Sequence, residues 1–461
     1  MQRNNKEKQS EQIFEGDEIM GLFFGTDGLR GKVNDDLSYD IAYKCGNALG
    51  SRYSKILIGR DTRHTGSFIT LAFATGAMNA GSDVTDVGVC PTAGISYLTK
   101  ELGYDFGVMI SASHNPAEYN GIKIFDSQGK KLGDKREEEL EKSFLRNRMT
   151  TYDKVGTYEY EPRKVLKYEE FLASSIGCSL KGKTIVLDCS NGASFKIAPA
   201  VFRDNGAKII ATFCKPDGLN INKGCGSLHI EKLQKYVLKY KADMGFAFDG
   251  DSDRLIAVDE NGEVVDGDKI IYMLALEYLE KGKLVPAEVV GTRHTNMGVE
   301  KALKEKGISL LRTDIGDKYV AMKLAERGLL IGGEQSGHVF VKDKLTTGDG
   351  ILNALLVASI CVEKNKKLSE FFDFVPYSQC NINILVSNKM NIMNSEKLMI
   401  EQDRVTDILE NNGRVMIRMS GTEPYIRVMV ESQNEETSAK YANELADVIK
   451  QLNLEFEQCA E

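Results

Sequence analysis

Short runs of β-branched and aliphatic residues alternate with amphipathic stretches along most of the chain, and this alternation limits the possible folds more than any other feature. Three of the runs share one setting, because each follows a polar or proline-containing turn and leads into a loop of small polar residues. They are Lys55–Asp61, Lys183–Asp188 and Glu288–Thr292, roughly 105 to 130 residues apart. Alternating β and α segments favour largely parallel sheets, and the spacing indicates three related α/β units.

The length of the chain indicates several domains. A domain usually holds about 100 to 200 residues, so 461 residues suggest three or four. A charged helix at Asp134–Lys142 is expected late in the first unit, and Asp259–Gly262 is a hairpin signal near the end of the second. We expect domains at residues 21–166, 167–262, 263–372 and 373–461, after a disordered polar extension at residues 1–20.

The C-terminal part differs in pattern from the rest. Short alternating strands are predicted at Asn381–Val386 and Arg414–Met419, followed by a helix from about Glu436 to Leu452. This order predicts a small α+β domain rather than a fourth α/β unit.

Composition excludes several classes of protein. The balance of 42% hydrophobic and 27% charged residues is that of a globular protein. No apolar run reaches the about 18 residues of a membrane span, and Ile351–Val362, interrupted by Asn353, is predicted to be a buried helix. The first twenty residues lack the apolar core of a secretion signal, and the nine scattered cysteines form no C-x-x-C pair. We therefore expect a cytoplasmic protein, monomer or homodimer, without a structural zinc site or a membrane partner.

The net charge limits the choice of ligand. A value of −8 argues against a nucleic-acid partner. A phosphorylated small molecule would have to be bound by local cations and backbone amides.

The first loop with residues suited to catalysis is Ser111–Pro116, directly after the predicted strand Phe106–Ile110. Ser113, beside His114 and Asn115 and before a turn fixed by proline, has the setting of a nucleophile or a phosphate carrier. A polar loop without a catalytic role is the alternative, since loops favour these residue types.

The second loop, Asp249–Asp253, follows the predicted strand Met244–Phe248. Its three carboxylates at alternate positions supply the hard oxygen ligands that Mg²⁺ prefers. Fully extended, the outer two would lie about 13 Å apart, so the loop must curl to hold one ion. A calcium loop of the EF-hand type is excluded, because Arg254 stands where that loop needs glycine and the flanks are strand-like. A solvated acidic loop remains the alternative.

The third loop, Gly332–His338, is predicted to join strands at Leu329–Ile331 and Val339–Val341. Glu334 and Ser336 are two residues apart, which allows them to bind adjacent sugar hydroxyls, and His338 has the chemistry to move a proton. A hairpin with a structural histidine is the alternative.

The fourth loop, Arg418–Pro424, leads to Arg427. Hydroxyls and backbone amides around Gly421 can surround a phosphate while an arginine fork binds its oxygens. A polar turn with a surface arginine is the alternative. Together the four loops supply a phosphate carrier, a metal site, a sugar site and a second phosphate site, which are the parts needed to move a phosphoryl group within one phosphosugar.

The chain resembles the α-D-phosphohexomutases from Phe24 to about Leu452. The matching stretches are Phe24–Gly31, Ser111–Pro116, Asn120–Lys123, Asp217–Asn222, Asp249–Arg254, Gly332–His338 and Arg418–Arg427. The resemblance implies an α/β fold of four domains around a central cleft. Three are related units with mixed sheets, and the last is an α+β domain of TBP-like type that closes over bound substrate.

The resemblance also implies the chemistry. The enzyme is expected to be a phosphosugar mutase, in which a phosphoserine donates its group to the sugar and recovers the other phosphate from the bisphosphate intermediate. Ser113 would be the phosphoserine and, with Asp249, Asp251 and Asp253, would hold one Mg²⁺ per chain. Arg30, Lys123 and His338 would assist proton transfer or steady the transferring group. The residues expected to bind substrate are His114, Arg254, Glu334, Ser336, Arg418, Ser420, Gly421, Thr422 and Arg427.

The form of the third loop favours glucosamine 6-phosphate, converted to glucosamine 1-phosphate for amino-sugar nucleotides and cell-wall precursors. Glucose or glucosamine 1,6-bisphosphate would be the activator. Phosphomannomutase or phosphoglucomutase activity is the alternative within the class, and a non-catalytic sugar-phosphate-binding regulator is the alternative outside it.

Three positions depart from the family pattern. Ser252 replaces the usual glycine of the metal loop, Arg293–Asn296 replaces a more common Met-Ser-Asn, and Met419 stands where a basic residue is frequent.

Overall fold

The structure, a computed structural model, describes residues 24–25, 28–51, 54–145, 149–420 and 424–458. The extension expected at residues 1–20 lies outside the described residues. The chain divides into two compact units, one formed by Met1–His294 and Ile308–Phe371, the other by Thr295–Gly307 and Phe372–Glu461. Within the described residues, no helix is both long and apolar enough to cross a membrane.

The first unit begins with a seven-stranded mixed sheet in the order β1-β2-β6-β5-β3-β4-β7. Strands β5, β3, β4 and β7 are parallel, whereas β1, β2, β6 and β5 pair antiparallel. The strands are β1 (Phe24–Gly25), β2 (Gly28–Lys32), β3 (Lys55–Arg60), β4 (Asp83–Val89), β5 (Phe106–Ile110), β6 (Tyr119–Asp126) and β7 (Tyr158–Tyr160). The helices of this part are Tyr39–Leu49, Gly66–Asn79, Thr92–Glu101 and Asp134–Leu145.

A five-stranded mixed sheet follows, in the order β12-β11-β10-β8-β9. Its strands are β8 (Thr184–Asp188), β9 (Lys208–Thr212), β10 (Met244–Phe248), β11 (Leu255–Asp259) and β12 (Val264–Val265). Every residue of β10 and β11 is buried, which explains their continuous apolar sequence. A 3-10 helix at Pro162–Val165 and the helices Leu166–Ala173, Ser194–Asp204 and Glu231–Tyr240 accompany this sheet in the sequence.

The third sheet has four strands in the order β14-β13-β15-β16. They are β13 (Glu288–Thr292), β14 (Ser309–Thr313), β15 (Ile331–Gly333) and β16 (Val339–Val341). The helices of this part are Gly267–Glu280, Asp317–Arg327 and Gly350–Glu363, with a 3-10 helix at Leu368–Phe371. Asp349 begins the buried Gly350–Glu363 helix, because its carboxylate accepts the N–H groups of Ile351 and Leu352.

The second unit contains an antiparallel three-stranded sheet in the order β17-β19-β18. Its strands are β17 (Ser378–Leu385), β18 (Gly413–Met419) and β19 (Tyr425–Ser432). Its helices are Met297–Glu305, Lys389–Met393, Glu396–Leu409 and Glu435–Gln458, with a 3-10 helix at Glu410–Asn412. Alternate β19 residues Ile426, Val428 and Val430 pack into one core with Leu445 and Ile449.

The fold class expected from the sequence is confirmed: three mixed-sheet α/β parts precede an α+β C-terminal part. The strands expected at Phe106–Ile110 and Met244–Phe248 are confirmed to the residue. The strand expected at Leu329–Ile331 instead spans Ile331–Gly333. Tight packing explains the glycines in this strand, since a Cβ on Gly333 would lie 2.5 Å from the carbonyl oxygen of His338.

Candidate active site

Ser113 lies in the loop between β5 and β6, fully buried and with a left-handed backbone (φ 51°). Such a conformation costs a non-glycine residue about 1–3 kcal/mol, so the surrounding contacts must impose it. Its hydroxyl donates to Asp249 Oδ2 at 2.6 Å. Its backbone N–H donates to Ser111 Oγ at 2.9 Å. The loop therefore directs the serine hydroxyl at the carboxylates of the second loop.

The three carboxylates Asp249, Asp251 and Asp253 lie in the turn between β10 and β11, and all are buried. One oxygen from each lies within 4.8 Å of the others. In the part of the chain that the structure describes, Asp251 Oδ1 and Asp253 Oδ1 are buried and accept no hydrogen bond. Buried charged oxygens need a partner, and hard oxygens in this number suit a divalent cation. We refer to these three residues as the carboxylate triad.

The loop Asp249–Asp253 curls back on itself, as the sequence spacing required for its carboxylates to share one ion. Ser252 has a left-handed backbone (φ 64°), and its N–H donates to Asp249 O at 3.1 Å. Gly250 is needed at its position, because a Cβ there would lie 2.5 Å from the carbonyl oxygen of Ser113. The turn and the serine loop thus pack backbone against backbone.

Lys123 on β6 and Thr92 on the helix after β4 both bind the triad. Lys123 Nζ lies 2.9 Å from Asp251 Oδ2 and 3.0 Å from Asp253 Oδ2, and its side chain is buried. Thr92, at the start of its helix, donates its hydroxyl to Asp251 Oδ2 at 2.6 Å and its N–H to Asp251 O at 3.0 Å.

The carboxylates differ in their affinity for protons. Burial, and then the charges of Asp253 and Asp251, raise the pKa of Asp249 well above its usual range. Burial also opposes ionisation of Asp253, but Lys123 and His338 beside it hold its pKa well below the usual range. Burial therefore favours the neutral form of Asp249 in the metal-free site, whereas the neighbouring cations favour the ionised form of Asp253.

His338 is buried between two acidic residues. Its Nδ1 lies 3.6 Å from Asp253 Oδ2, and its Nε2 lies 3.6 Å from Asp317 Oδ2. Asp317 in turn pairs with Lys131. Burial lowers the pKa of the imidazole, but the charges of Asp253 and Asp317 outweigh it and raise this pKa above its ordinary value. His338 is therefore suited to holding a proton near the triad.

Basic groups surround the serine despite the acidic chain. His114 Nδ1 lies 3.4 Å from Ser113 Oγ. Arg30 donates to Asn115 Oδ1 at 3.4 Å. Burial, with the positive charges of Arg254 and Arg30, lowers the pKa of His114 to about 4. The histidine is thus neutral near pH 7, and the two arginines supply the local positive charge that a phosphate requires.

The third loop forms the hairpin between β15 and β16. Glu334 Oε1 accepts the N–H of Gly316 at 3.0 Å, and burial raises the pKa of this carboxyl group. Arg254 and His338 both interact electrostatically with Glu334, whereas Ser336 is exposed at the hairpin.

In the second unit, Arg418 and Arg427 are directly opposite each other on β18 and β19. Burial and the charge of Arg427 lower the pKa of Arg418. Like charges at paired positions are destabilising, and an anion would relieve the repulsion. The Ser420 carbonyl accepts from Lys389 Nζ at 2.8 Å, which brings a cation to the loop where Met419 supplies none. Gly421 and Thr422 lie outside the described residues.

Sequence patterns did not single out Asp61, Arg63, Thr92 and Asp317, which contact the serine loop, the triad or His338 in the first unit. They also did not single out Lys389, which contacts the Ser420 loop within the second unit. These residues act from elements far away in the sequence, and no local spacing marks them. Asp61 and Arg63 directly follow β3 within the sequence Gly-Arg-Asp-Thr-Arg, and this cluster of charges at the end of an apolar strand could have indicated them.

The fold consists of three successive mixed-sheet α/β parts and an α+β part, and a buried serine is hydrogen-bonded to the carboxylate triad. These are the features of the phosphosugar mutases that the sequence resembles. Models of the phosphoglucomutase/phosphomannomutase family match four stretches. Its alpha/beta/alpha domains I, II and III match residues 21–151, 167–262 and 266–377, and its C-terminal domain matches residues 382–448. The chain belongs to the phosphoglucomutase/phosphomannomutase family. The resemblance stated from the sequence is confirmed.

Two similar relatives carry the name phosphoglucosamine mutase. The protein from Clostridioides difficile (strain 630) is 43% identical over 445 residues, and that from Caldanaerobacter subterraneus subsp. tengcongensis is 44% identical over 443. Each alignment covers 94% of this chain and 99% of the relative.

Solved structures show the same fold. A phosphoglucomutase/phosphomannomutase family protein from Burkholderia thailandensis has a TM-score of 0.78 at 23% identity, covering 92% of this chain and 97% of that chain. The N-acetylphosphoglucosamine mutase of Aspergillus fumigatus, solved with GlcNAc-6P and magnesium, has a TM-score of 0.64 at 19% identity, covering 98% and 100%.

Proposed function

We propose that this protein is a phosphoglucosamine mutase that interconverts glucosamine 6-phosphate and glucosamine 1-phosphate through a phosphorylated Ser113. The observation that carries the proposal is the 2.6 Å hydrogen bond from Ser113 Oγ to Asp249 within a buried carboxylate triad. The name carried by relatives of 43–44% identity over nearly the whole chain supports the choice of sugar. We also propose that the domain boundaries are those expected from the sequence, namely residues 21–166, 167–262, 263–372 and 373–461.

The triad is proposed to hold one Mg²⁺ together with the phosphorylated Ser113. When bound, Mg²⁺ supplies charge neutralisation for the oxygens of a transferring phosphoryl group. Asp251 Oδ1 and Asp253 Oδ1, which accept no hydrogen bond from any residue that the structure describes, support this assignment. They are hard ligands of the kind that Mg²⁺ prefers.

The chain's own groups account for the remaining chemistry. Ser113 carries the phosphoryl group, and Arg30, His114 and Arg254 surround it with donors. Lys123 and His338 steady the group and exchange a proton with the sugar hydroxyl, which His338 is suited to do because neighbouring carboxylates raise its pKa.

The substrate is proposed to be bound through its hydroxyls and its phosphate. Glu334 and Ser336 bind sugar hydroxyls. Arg418, Ser420, Gly421, Thr422 and Arg427 bind the phosphate that is not being transferred. The opposed pair Arg418 and Arg427 supports this role, because a phosphate can accept from both guanidinium groups. Glucose or glucosamine 1,6-bisphosphate is the proposed activator.

A coupled mutase assay with Mg²⁺ and a 1,6-bisphosphate tests the proposal. The ratio kcat/KM is measured for glucosamine, glucose and mannose 6-phosphates. We expect the highest value for glucosamine 6-phosphate, and no turnover for Ser113→Ala. A higher value for mannose or glucose would identify a phosphomannomutase or phosphoglucomutase. Binding of the sugar phosphates without turnover would identify a non-catalytic binding protein.

A further inference from the structure

Arg63 is buried beneath the serine loop and is 3% exposed. Its Nε donates to Asp61 Oδ2 at 2.9 Å, which fixes the orientation of the planar guanidinium group. The two terminal nitrogens then donate to four backbone carbonyls of the loop, those of Ser113, Asn115, Pro116 and Tyr119. One side chain thus binds four backbone carbonyls within residues 113–119.

The carbonyl of Ser113 is the centre of this arrangement. It accepts from Arg63 Nη2 at 2.9 Å and from Asn222 Nδ2 at 2.9 Å, so both of its lone pairs have a donor. Asn222 also donates to the carbonyl of Asn115 at 3.1 Å, as Arg63 does at 2.8 Å. The carbonyl side of the serine is therefore fixed from two directions.

The backbone N–H of Ser113 is also connected to Arg63, through a chain of hydrogen bonds. The N–H donates to Ser111 Oγ, and the Ser111 hydroxyl donates at 2.7 Å to Asp61 Oδ2, the atom that binds Arg63 Nε. The left-handed backbone of Ser113 (φ 51°) is thus held at both of its peptide groups by a network centred on Arg63. Because that backbone directs Oγ at Asp249, the network determines where the hydroxyl points.

We propose that Arg63 is a positioning residue for Ser113: it keeps the loop in the strained conformation that presents the hydroxyl, and later the phosphoserine, to the carboxylate triad. The proposal rests on the proposed function, since it assigns Arg63 to the phosphoryl-transfer step. Lysine cannot replace it, because one ammonium group lacks the planar fork that reaches separate carbonyls.

Arg63→Lys is the test variant, since it keeps the positive charge beside Asp61. Arg60→Lys is the matched control. Arg60 lies three residues earlier, is also largely buried, and pairs with Asp86 at 3.0 Å instead of with the serine loop. Asn222→Gly is a second variant, which removes the other donor to Ser113 while tolerating the left-handed backbone of that position (φ 58°).

Each variant is compared with wild type in three measurements. They are amide hydrogen exchange of residues 111–119, the rate at which glucose 1,6-bisphosphate phosphorylates Ser113 by intact mass, and kcat and KM in the mutase assay. For Arg63→Lys we expect faster exchange in this segment and an about 100-fold fall in phosphorylation rate and kcat, with KM little changed. Arg60→Lys should match wild type in all three.

Wild-type exchange and phosphorylation in Arg63→Lys would overturn the proposal. So would a fall shared equally by Arg60→Lys, because that would indicate a general loss of stability. If far-UV circular dichroism shows that Arg63→Lys does not fold, Asn222→Gly decides the question: a slower phosphorylation supports the positioning network, and a wild-type rate refutes it. If wild-type protein accepts no phosphate on Ser113, the proposed function fails, and hydrogen exchange alone decides whether Arg63 holds the loop.

Discussion

Lys123→Met tests whether Lys123 is the counter-ion of the carboxylate triad. The substitution removes a buried ammonium group that lies 2.9 Å from Asp251 and 3.0 Å from Asp253. At an effective dielectric constant of about 20, each attraction is about 6 kcal/mol at this distance. Desolvation of the ions offsets several kcal/mol of that sum, and breaking a buried pair costs about 3–5 kcal/mol net.

The assay is thermal unfolding followed by far-UV circular dichroism, since the chain contains no tryptophan. A change of 1 kcal/mol shifts Tm by about 2–4 °C in domains of 150–250 residues, so we expect Lys123→Met to unfold about 10 °C below wild type in EDTA. Mg²⁺ should raise Tm more in the variant than in wild type, because the variant offers the cation a triad whose charge is no longer compensated.

Lys342→Met is the matched control. Its Nζ donates to the carbonyl of Thr346 at 2.9 Å, away from the triad, so its response to Mg²⁺ should equal that of wild type. The reasoning is refuted if Lys123→Met and Lys342→Met have the same Tm in EDTA, or if Mg²⁺ raises both by the same amount.

Two further predictions concern the same unit. Ser252→Gly should stabilise the metal-free protein by about 1 kcal/mol more than Ser252→Ala does in urea unfolding. Both variants remove the buried Ser252 hydroxyl, but only glycine relieves the left-handed strain (φ 64°). An equal gain in both variants would contradict the explanation. Burial raises the pKa of Asp349 from 3.8 to about 6. Its contribution to stability is therefore complete below its unfolded-state pKa and declines by about 3 kcal/mol as pH rises through 6, so Asp349→Asn should flatten the pH dependence of the free energy of unfolding. An unchanged slope would contradict it.

The sequence predicted those parts of the fold in which local pattern and burial agree. β10 is apolar throughout because both of its faces are buried, and the Asp-Gly turn after it ends the strand where expected. β15 was misplaced by two residues, because its glycines are required by the nearby backbone of Val290 and His338 rather than by any strand propensity.

The candidate active site was likewise predictable from the sequence only in part. Serine and carboxylates at the ends of predicted strands indicated phosphoryl chemistry, but the hydrogen bond between Ser113 and Asp249 joins residues 136 positions apart. The network of Arg63 could not be predicted, because its partners at the serine loop are backbone carbonyls, which carry no residue identity, and they lie 50 or more positions away.

The central claim is that Ser113 carries a phosphoryl group between donor and sugar. The most direct measurement is mass spectrometry of the peptide that contains Ser113. The peptide is measured after incubation with glucose 1,6-bisphosphate and Mg²⁺, and again after glucosamine 6-phosphate is added. We predict one phosphoryl group on Ser113 that is then lost as glucosamine 1,6-bisphosphate appears. Turnover of glucosamine 6-phosphate without any phosphate on Ser113 would contradict the account.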